Sequence, residues 1–224
     1  KATAREWEII SGIVVETPEM LKVVALATGS KCIGKNQLSS SGDTINDCHA
    51  EVLVRRSLLH YLESEMVSSQ PAIFSKTCAN KFKLKENVKF HLYINQTPCG
   101  DASIFPIDTT DKSYQRLMAR KRATITGKRN SPCDISDGGQ PKRISSGGDT
   151  QRTGAKVVES SPIQDTNGEG QSYHVHNVLR TKPGRGQRTS SLSCSDKIAK
   201  WNVIGLQGAL LSLLIEEPIY LHTI

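Results

Sequence analysis

The apolar positions of the first hundred residues follow the short repeat of β-strands in three places. Residues 9–15 and 21–27 are runs rich in Ile, Val, Leu and Ala, bounded by Gly, Pro and Thr. Residues 88–94 alternate apolar and other side chains. Short β-branched runs of this kind between turn residues predict β-strands.

A different period governs the segment between these runs. Residues 50–66 place large apolar side chains three and four positions apart, which predicts a helix with one buried face. Asn46 or Asp47 precedes them as an N-cap, so the helix is expected to start near these two residues. Residues 34–47 before it are polar and rich in Ser and Gly, which is typical of a loop. The alternation of strand and helix predicts an α/β fold.

The second half of the chain begins with a long stretch that has no such period. Residues 108–190 are rich in Ser, Gly, Thr, Lys and Arg, which predicts an irregular, poorly ordered insertion. Residues 195–216 return to helical spacing, either as one helix interrupted near 202–205 or as two helices. Residues 218–224 predict a final strand, and Pro98 favours a helix start after the strand at 88–94.

The basic charge of the chain is concentrated in one segment. The net charge is +7, and residues 112–200 hold 17 Lys and Arg against 7 Asp and Glu. Such an excess indicates a polyanionic partner, although a solvated basic loop would give the same count. No run of 18 apolar residues exists, so we expect no membrane span. No feature predicts an obligate protein partner.

The clearest chemical signal joins two short motifs. His49 and Glu51 stand two residues apart near the predicted helix start, and Pro98-Cys99 follows a strand 50 residues later. Zinc deaminases of nucleobases combine His-x-Glu with Pro-Cys, where His and Cys hold zinc and Glu moves protons. Zinc in such sites keeps its fourth position open for a water molecule. An ordinary polar helix face would also give a lone His-x-Glu pair.

A second thiolate is missing from the usual place three residues after Cys99. Cys194 is the best substitute, at another predicted helix start, although alone it would be read as a buried free thiol. We expect the remaining cysteines to be packed or surface thiols. Their wide spacing in a basic chain favours reduced thiols, and so an intracellular protein of the nucleus or the cytoplasm.

Three motifs together resemble one enzyme family. Residues 46–51, 97–102 and 193–203 look like the RNA-specific adenosine deaminases, whose second cysteine ligand is displaced far downstream. The likeness covers residues 21–105 and 180–224. It implies a cytidine-deaminase-like three-layer α/β/α fold with a long insertion. It also implies that residues 1–224 form a single partial domain, because members of the family extend beyond the position that matches residue 224.

The resemblance also implies the chemistry of the site. Zinc would lie on His49, Cys99 and Cys194, and Glu51 would shuttle protons. The family buries inositol hexakisphosphate, and the matching positions are Asn46, Arg55, Arg56, Ser191, Lys197, Lys200 and Trp201. Asp47 and Lys197 would relay charge between that anion and the zinc ligands. From the residues alone, Arg55 and Arg56 would instead be exposed helix charges.

The branch of the family follows from smaller matches. Thr97, Ser103 and the segments 152–156 and 182–186 resemble the branch that converts adenosine 37, next to the tRNA anticodon, to inosine. Lys31 and Arg188 match positions that contact RNA. The alternatives are an editor of double-stranded RNA, a cytidine-type deaminase, or a catalytically inactive RNA-binding or structural zinc protein.

Overall fold

The fold is described by a computed structural model that covers residues 8–106, 110, 112, 115–116, 150–151, 153–165, 174–183 and 188–224. In chain order, its strands are β1 (Ile10–Glu16), β2 (Leu21–Thr28), β3 (Ser30–Cys32), β4 (Asp47–His49), β5 (Phe74–Lys76), β6 (Phe82–Leu84), β7 (Lys89–Ile94), β8 (Phe105–Pro106), β9 (Thr150–Gln151), β10 (Lys156–Val157), β11 (Arg180–Thr181) and β12 (Leu221–Thr223). Its helices are α1 (Ala50–Val67), α2 (Cys194–Ile204) and α3 (Gly208–Leu211).

A four-stranded mixed sheet forms the centre, in the order β12-β7-β1-β2. β1 runs antiparallel to β2 and β7, and β12 lies parallel to β7 on the far edge. Because alternate side chains of a strand face opposite sides, Ile13 and Val15 of β1 enter the core together with their cross-strand neighbours. The strands predicted at residues 9–15, 21–27 and 88–94 are confirmed to within one residue at each end.

One face of the sheet is covered by helices. Leu58 and Leu62 of α1 and Trp201 of α2 share a single apolar cluster with Ile13 and Phe90 of the sheet. Burying such side chains is favourable by about 1.5–3 kcal/mol each, which makes this cluster the main source of stability. The α/β class predicted from the sequence is confirmed. The opposite sheet face leaves Leu21, Val23, Leu26 and Tyr93 exposed.

The start of α1 differs from the prediction. Asp47 and His49 belong to β4, which pairs antiparallel with β3, and the helix begins only at Ala50. Asp47 accepts a hydrogen bond from the backbone N–H of His49. Both residues lie in β4, so this bond does not cap the helix. An N-cap at residue 46 or 47 is therefore wrong, because pairing with β3 holds Asp47 in a strand and His49 is the residue that precedes the helix.

The C-terminal part contains two helices, as the second of the two alternatives predicts. α2 ends where the N–H of Gly205 bonds to the carbonyl oxygen of Trp201, and α3 follows after three residues. The predicted final strand exists but is confined to β12. Pro98 does not open a helix, since the chain forms only a 3-10 turn at residues 101–103.

Parts of the predicted irregular insertion carry strands. Lys156–Val157 pairs antiparallel with Arg180–Thr181, and Ala155, Val157, Arg180 and Lys182 are buried. Residues 153–165 and 174–183 of the predicted insertion thus contain paired strands and buried side chains, while the expectation of a poorly ordered segment stays a prediction. Residues 117–149, which include Cys133, lie outside the described residues, as do Arg152 and the stretch 184–187 of the tRNA-branch matches.

None of the helices in the described parts of the chain has the length and apolar character needed to cross a membrane. No disulfide joins the described cysteines 32, 48, 78, 99 and 194.

Candidate active site

Three residues that are distant in the sequence meet beside the sheet. One nitrogen of His49 and the sulfurs of Cys99 and Cys194 all lie within 4.8 Å of one another. His49 Nδ1 is 3.9 Å from the Cys99 sulfur and 3.6 Å from the Cys194 sulfur. The predicted metal ligands therefore do come together, and Nδ1 is the imidazole nitrogen that faces both sulfurs.

His49 is positioned by the pairing of β3 with β4. Ser30 lies opposite His49, and the N–H of Ala50 bonds to the carbonyl oxygen of Gly29 at 2.9 Å. Gly29 has φ +149°, and a Cβ there would stand 2.1 Å from the backbone oxygen of Cys48. Only glycine permits this close approach, which fixes the direction in which His49 leaves the strand.

Cys99 lies in the loop after β7 and is held against the start of α2. The carbonyl oxygen of Cys99 accepts both the backbone N–H of Ser195, at 3.0 Å, and the Ser195 hydroxyl, at 2.9 Å. Gly100 has φ +109°, and a Cβ there would collide with the side chain of Ser193. Ser103 closes the loop by donating its hydroxyl to the carbonyl oxygen of Pro98 at 2.7 Å.

Cys194 is the first residue of α2 and is completely buried. Its predecessor Ser193 caps the helix by accepting the N–H of Asp196, and its hydroxyl donates to the Asp196 carboxylate at 2.6 Å. The positive end of the helix dipole favours a thiolate at this position. The predicted helix-start position is confirmed for Cys194, whereas Cys99 precedes a 3-10 turn.

A buried lysine contacts the sulfurs. Lys182 Nζ lies 2.6 Å from the sulfur of Cys194 and 3.9 Å from that of Cys99. Burial alone would lower the pKa of Lys182, but the two cysteines and Asp47 outweigh it and raise the pKa, which keeps the ammonium charged. This cation compensates negative charge on the thiolates that a metal ion would bind.

The two sulfurs titrate together, because they lie within 4.8 Å of each other and both contact Lys182. A hydrogen bond from Cys194 lowers the pKa of Cys99 to about 4, helped by His49 and Lys182. Cys194 in turn has a raised pKa, because its proton is engaged with Cys99 and burial opposes a second charge. Because a metal ion binds thiolates rather than thiols, metal binding at this pair would release protons.

Asp47 connects this centre to α2. Its Oδ2 accepts Lys197 Nζ at 2.5 Å and the Ser191 hydroxyl at 2.7 Å, while its Oδ1 lies 3.5 Å from Lys182 Nζ. Burial would raise the pKa of Asp47, but these partners outweigh it and lower the pKa. The structure thus brings together the two predicted relay residues, Asp47 and Lys197, with Lys182 as the link to the sulfurs.

Glu51 occupies the first turn of α1, two residues after His49. It is 3% exposed, and its Oε2 has no hydrogen-bond partner among the residues that the structure describes. Its carboxylate is also one of the charges that raise the pKa of Cys194, so it lies near the sulfurs. A buried carboxylate oxygen with no protein partner is suited to a water molecule or substrate.

The donor set fits zinc. One imidazole nitrogen and two thiolates are ligands that zinc prefers, and three protein ligands leave a fourth position open. The described donors supply this number and these types, beside a carboxylate that is not one of the three. The arrangement can therefore hold a catalytic rather than a closed structural zinc ion.

The predicted polyphosphate ligands fall into two groups. Arg55 stacks over the Trp201 ring, with 5.4 Å from the guanidinium carbon to the ring centroid, while Ser191 and Lys197 meet at Asp47. Asn46, Arg56 and Lys200 are exposed. Arg55 Nε donates to the carbonyl oxygen of Leu206, so one of its donors is already used within the chain.

The two predicted RNA-contacting residues line different cavities. Lys31 is exposed and lines a cavity of about 320 Å³ with Cys48, one residue before the candidate metal ligand His49. Arg188 lines a second cavity, of about 250 Å³, with Lys35 and Glu159. Arg188 also donates to the carbonyl oxygen of Val157 and lies 3.4 Å from Glu159, so its charge is partly neutralised.

Sequence reasoning missed Lys182 and Arg180 as members of the site. Both are buried and stand two residues apart at a short strand, so their side chains leave on the same side. The stretch around them is basic and has few large apolar residues, so the sequence alone does not distinguish these two buried cations from other basic side chains. No local pattern marks them, because the acidic partners Asp47, Asp101 and Asp165 come from elsewhere in the chain.

Comparisons with known proteins agree with this geometry. The model of the adenosine-deaminase (editase) domain matches residues 25–224. A tRNA-specific adenosine deaminase 1 of Drosophila melanogaster is 38% identical over the whole chain and 49% of its own length, and one of Mus musculus is 34% identical over 98% and 59%. A double-stranded RNA-specific editase Adar of Drosophila melanogaster is 35% identical over 97% of the chain and 29% of its own.

These matches extend over nearly the whole chain but over only part of each relative. The chain spans about half the length of the curated tRNA-specific relatives. The family's fold is of the cytidine-deaminase type, in line with the mixed sheet and its helices. The family model matches residues 25–224, which include His49, Cys99 and Cys194 of the candidate site. The chain therefore belongs to the adenosine-deaminase (editase) domain family.

Proposed function

We propose that the chain deaminates adenosine to inosine in tRNA by hydrolysis, at the adenosine of position 37 next to the anticodon. The observation that carries the proposal is the meeting of His49, Cys99 and Cys194 beside the buried carboxylate of Glu51. The relatives named tRNA-specific adenosine deaminase 1 support the substrate, since two of them match the chain over nearly its full length.

The residues of the chain divide the chemistry between them. His49 and the two cysteines would hold zinc, which when bound supplies a Lewis acid that makes water nucleophilic near neutral pH. Glu51 accepts a proton from the attacking water and passes protons to the purine ring and to the departing amine. Water adds to carbon 6 and ammonia leaves, so adenosine becomes inosine without any change of oxidation state.

Lys182 and Asp47 prepare the ligands for this task. The Lys182 ammonium offsets the negative charge of the thiolates, and Asp47 holds that ammonium and Lys197 in place. Groups that touch the ligands but not the ion set the orientation and basicity of a metal site. We infer that both residues tune the centre rather than contact the base.

Replacing Glu51 by Gln is the direct test. Glu51→Gln removes the proton acceptor and keeps the shape of the side chain, so inosine formation in unmodified tRNA should fall by about 10²–10⁴-fold. Zinc content should stay at the wild-type level, because Glu51 is not one of the ligands. Equal turnover by the variant and the wild type would contradict the assignment.

The choice of substrate separates the alternatives. The match to a double-stranded RNA-specific editase favours duplex RNA as the second candidate. The same chain should be given tRNA, a perfect RNA duplex and cytidine, with inosine or uridine as the measured product. Inosine in the duplex but not in tRNA would favour the editor, uridine would favour a cytidine-type enzyme, and no product with zinc bound would favour an inactive relative.

We further propose that inositol hexakisphosphate binds near Arg55, Lys197 and Trp201, together with the exposed Asn46, Arg56 and Lys200 and with Ser191. Burial and the adjacent Arg56 lower the pKa of Arg55, so an anion here would relieve an unfavourable accumulation of positive charge. Titration of the chain with inositol hexakisphosphate should raise its melting temperature. Arg55→Met should abolish that rise, whereas Lys83→Met on β6 should not. If inositol hexakisphosphate left the melting temperature of the wild-type chain unchanged, the proposal would be contradicted.

Lys31 and Arg188 complete the proposal as contacts to RNA. Lys31 lines a cavity at the strand pair that carries His49, Arg188 lines a second cavity, and a lysine or arginine in such a place can hold a phosphate of the substrate strand.

A further inference from the structure

One fully buried arginine links the two loops that carry the cysteine ligands. Arg180 is 0% exposed and lies outside the set of residues that contact the sulfurs. Its guanidinium donates to Asp101 Oδ1 at 2.9 Å and to both oxygens of Asp165 at 2.6 and 2.8 Å. It also donates to the carbonyl oxygens of Val175, at 2.6 Å, and Ala155, at 3.5 Å. All five N–H groups of this side chain therefore have acceptors.

The guanidinium reaches the Cys99 loop through Asp101. Asp101 starts the 3-10 turn two residues after Cys99, and its second oxygen accepts the N–H of Asn177 at 2.6 Å. The loop after β7 is thereby tied to the segment that precedes β11. The loop is held in addition by Ser195 on the side of α2 and by the Thr153 hydroxyl, which accepts the N–H of Gly100 at 3.0 Å.

The backbone of the same residue reaches the Cys194 turn. The N–H of Arg180 donates to Asp196 Oδ2 at 3.0 Å, and its carbonyl oxygen accepts the N–H of Ser193 at 2.7 Å. Ser193 and Asp196 are the two residues that cap α2 around Cys194. Arg180 therefore contacts both ligand-bearing segments, one with its side chain and the other with its main chain.

Stability alone does not require this arrangement. Buried ion pairs stabilise a fold little more than apolar side chains of similar volume, because desolvation offsets their attraction. A planar fork with five donors does what an apolar residue cannot, since it fixes the directions of several partners at once. Asp165 is further held by the N–H of Val175 at 3.0 Å and by His174 at 3.1 Å, which makes the acceptor side rigid as well.

We propose that Arg180 is a positioning residue, whose side chain and backbone together hold the Cys99 loop and the Cys194 turn at the separation that a metal ion needs. The proposal rests on the proposed function in one respect, because the position of the two cysteines affects catalysis only if they hold the zinc ion of a deaminase. It adds to the site a residue that touches neither sulfur.

The test compares Arg180→Met, Arg180→Lys and Asp101→Ala with the wild-type chain. Zinc affinity is measured by competition with a chelator, and Co²⁺ is added to record the absorption bands that report ligand geometry. Each variant should bind zinc about 10–100-fold more weakly, as is usual when a group outside the ligand set is lost. The Co²⁺ bands should shift. Arg180→Lys should not restore affinity, because one ammonium cannot hold Asp165 and Asp101 together.

A second readout needs no metal. In the metal-free chain, the rate of alkylation of Cys99 should rise in the variants, while that of the exposed Cys78 stays constant. Leu58→Ala is the matched control, because it destabilises the apolar core without touching either loop. It should lower the melting temperature and leave zinc affinity, Co²⁺ bands and the relative rates of Cys99 and Cys78 unchanged.

The outcomes are separable. If Arg180→Met fails to fold, Arg180→Lys and Asp101→Ala decide, since Asp101→Ala leaves the Arg180–Asp165 pair intact. Wild-type zinc affinity and Cys99 reactivity in both would overturn the proposal, even if their melting temperatures fall. A wild-type chain that binds no zinc would contradict the proposed function instead, while the alkylation rates would still test the role of Arg180.

Discussion

Two buried regions of this molecule are built on different physical principles. Between α1 and the sheet, the core consists of apolar side chains such as Leu58, Leu62 and Phe90, whose burial is favourable in any orientation. Beside the sheet, the buried groups include Asp47, Arg180 and Lys182, whose contacts depend on direction and on opposite charge. The first region should tolerate exchanges that keep volume, and the second should fail when one member is removed, since its partner is left buried and charged.

The largest expected effect comes from the ligands at the centre of the polar region. Cys194→Ser removes one thiolate, so zinc affinity should fall by more than the ~10–100-fold typical of supporting residues, and inosine formation should be lost. Metal content after dialysis and a tRNA assay measure both effects. Cys78→Ser, at an exposed thiol, is the control. Full zinc content in Cys194→Ser would mean that the third ligand lies elsewhere.

The apolar region should show a loss of stability without a loss of chemistry. Leu58 is 0% exposed, so Leu58→Ala leaves a cavity and should reduce the free energy of unfolding by about 2–5 kcal/mol. Leu58→Met keeps the volume and should cost less than about 1.5 kcal/mol. Denaturant titration measures both. A loss of zinc in Leu58→Ala at temperatures where it is folded would show that the two regions are coupled.

The polar region should also respond to acid more than the apolar one. Hydrogen bonds from Arg180, Val175 and His174 outweigh burial and hold the pKa of Asp165 well below its usual range. A carboxyl with a lowered pKa in the folded state stabilises the fold above its unfolded pKa of about 3.9 and ceases to do so as the pH falls through the folded value.

The difference in unfolding free energy between the wild type and Asp165→Asn should accordingly be greatest near neutral pH and shrink below about pH 4. Urea titrations from pH 7 to pH 3 measure it. A difference that does not change with pH would mean that the Asp165 charge does not contribute.

The smallest effects belong to exposed cations outside both regions. Lys31→Ala removes one phosphate contact, so the slope of log affinity for tRNA against log salt should lose about 0.7–0.9 units. Lys83→Ala, on the exposed side of β6, should leave that slope unchanged. Equal slopes for the two variants would show that Lys31 lies off the path of the RNA.

The elements with a clear period could be predicted from the sequence. Residues 50–66 repeat apolar side chains at helical spacing over nearly five turns, and α1 covers them with one residue more. The strands β1 and β7 likewise follow local alternation. Local patterns of this kind determine secondary structure because burying one face of an element is the main contribution to its stability.

The donors of the candidate metal site could also be predicted, because zinc chemistry restricts residue types as well as spacing. The motifs indicate His49, Glu51 and Cys99, the family resemblance adds Cys194, and the three predicted donors do meet. What the motifs left undetermined was the backbone that carries them. The pairing of β3 with β4 converts the expected helix cap at Asp47 into a strand, and this pairing joins segments separated by a loop.

The buried charges were decided by tertiary structure alone. Lys182 and Arg180 lie in a stretch where most basic residues look alike, and only the fold places Asp47, Asp101 and Asp165 around them. A charge is stable in the interior only if its partner is already there, and a partner 15 to 135 residues away leaves no local pattern. The sequence by itself thus specified the candidate metal donors and the periodic elements, while long-range packing decided the geometry of the buried charges around those donors.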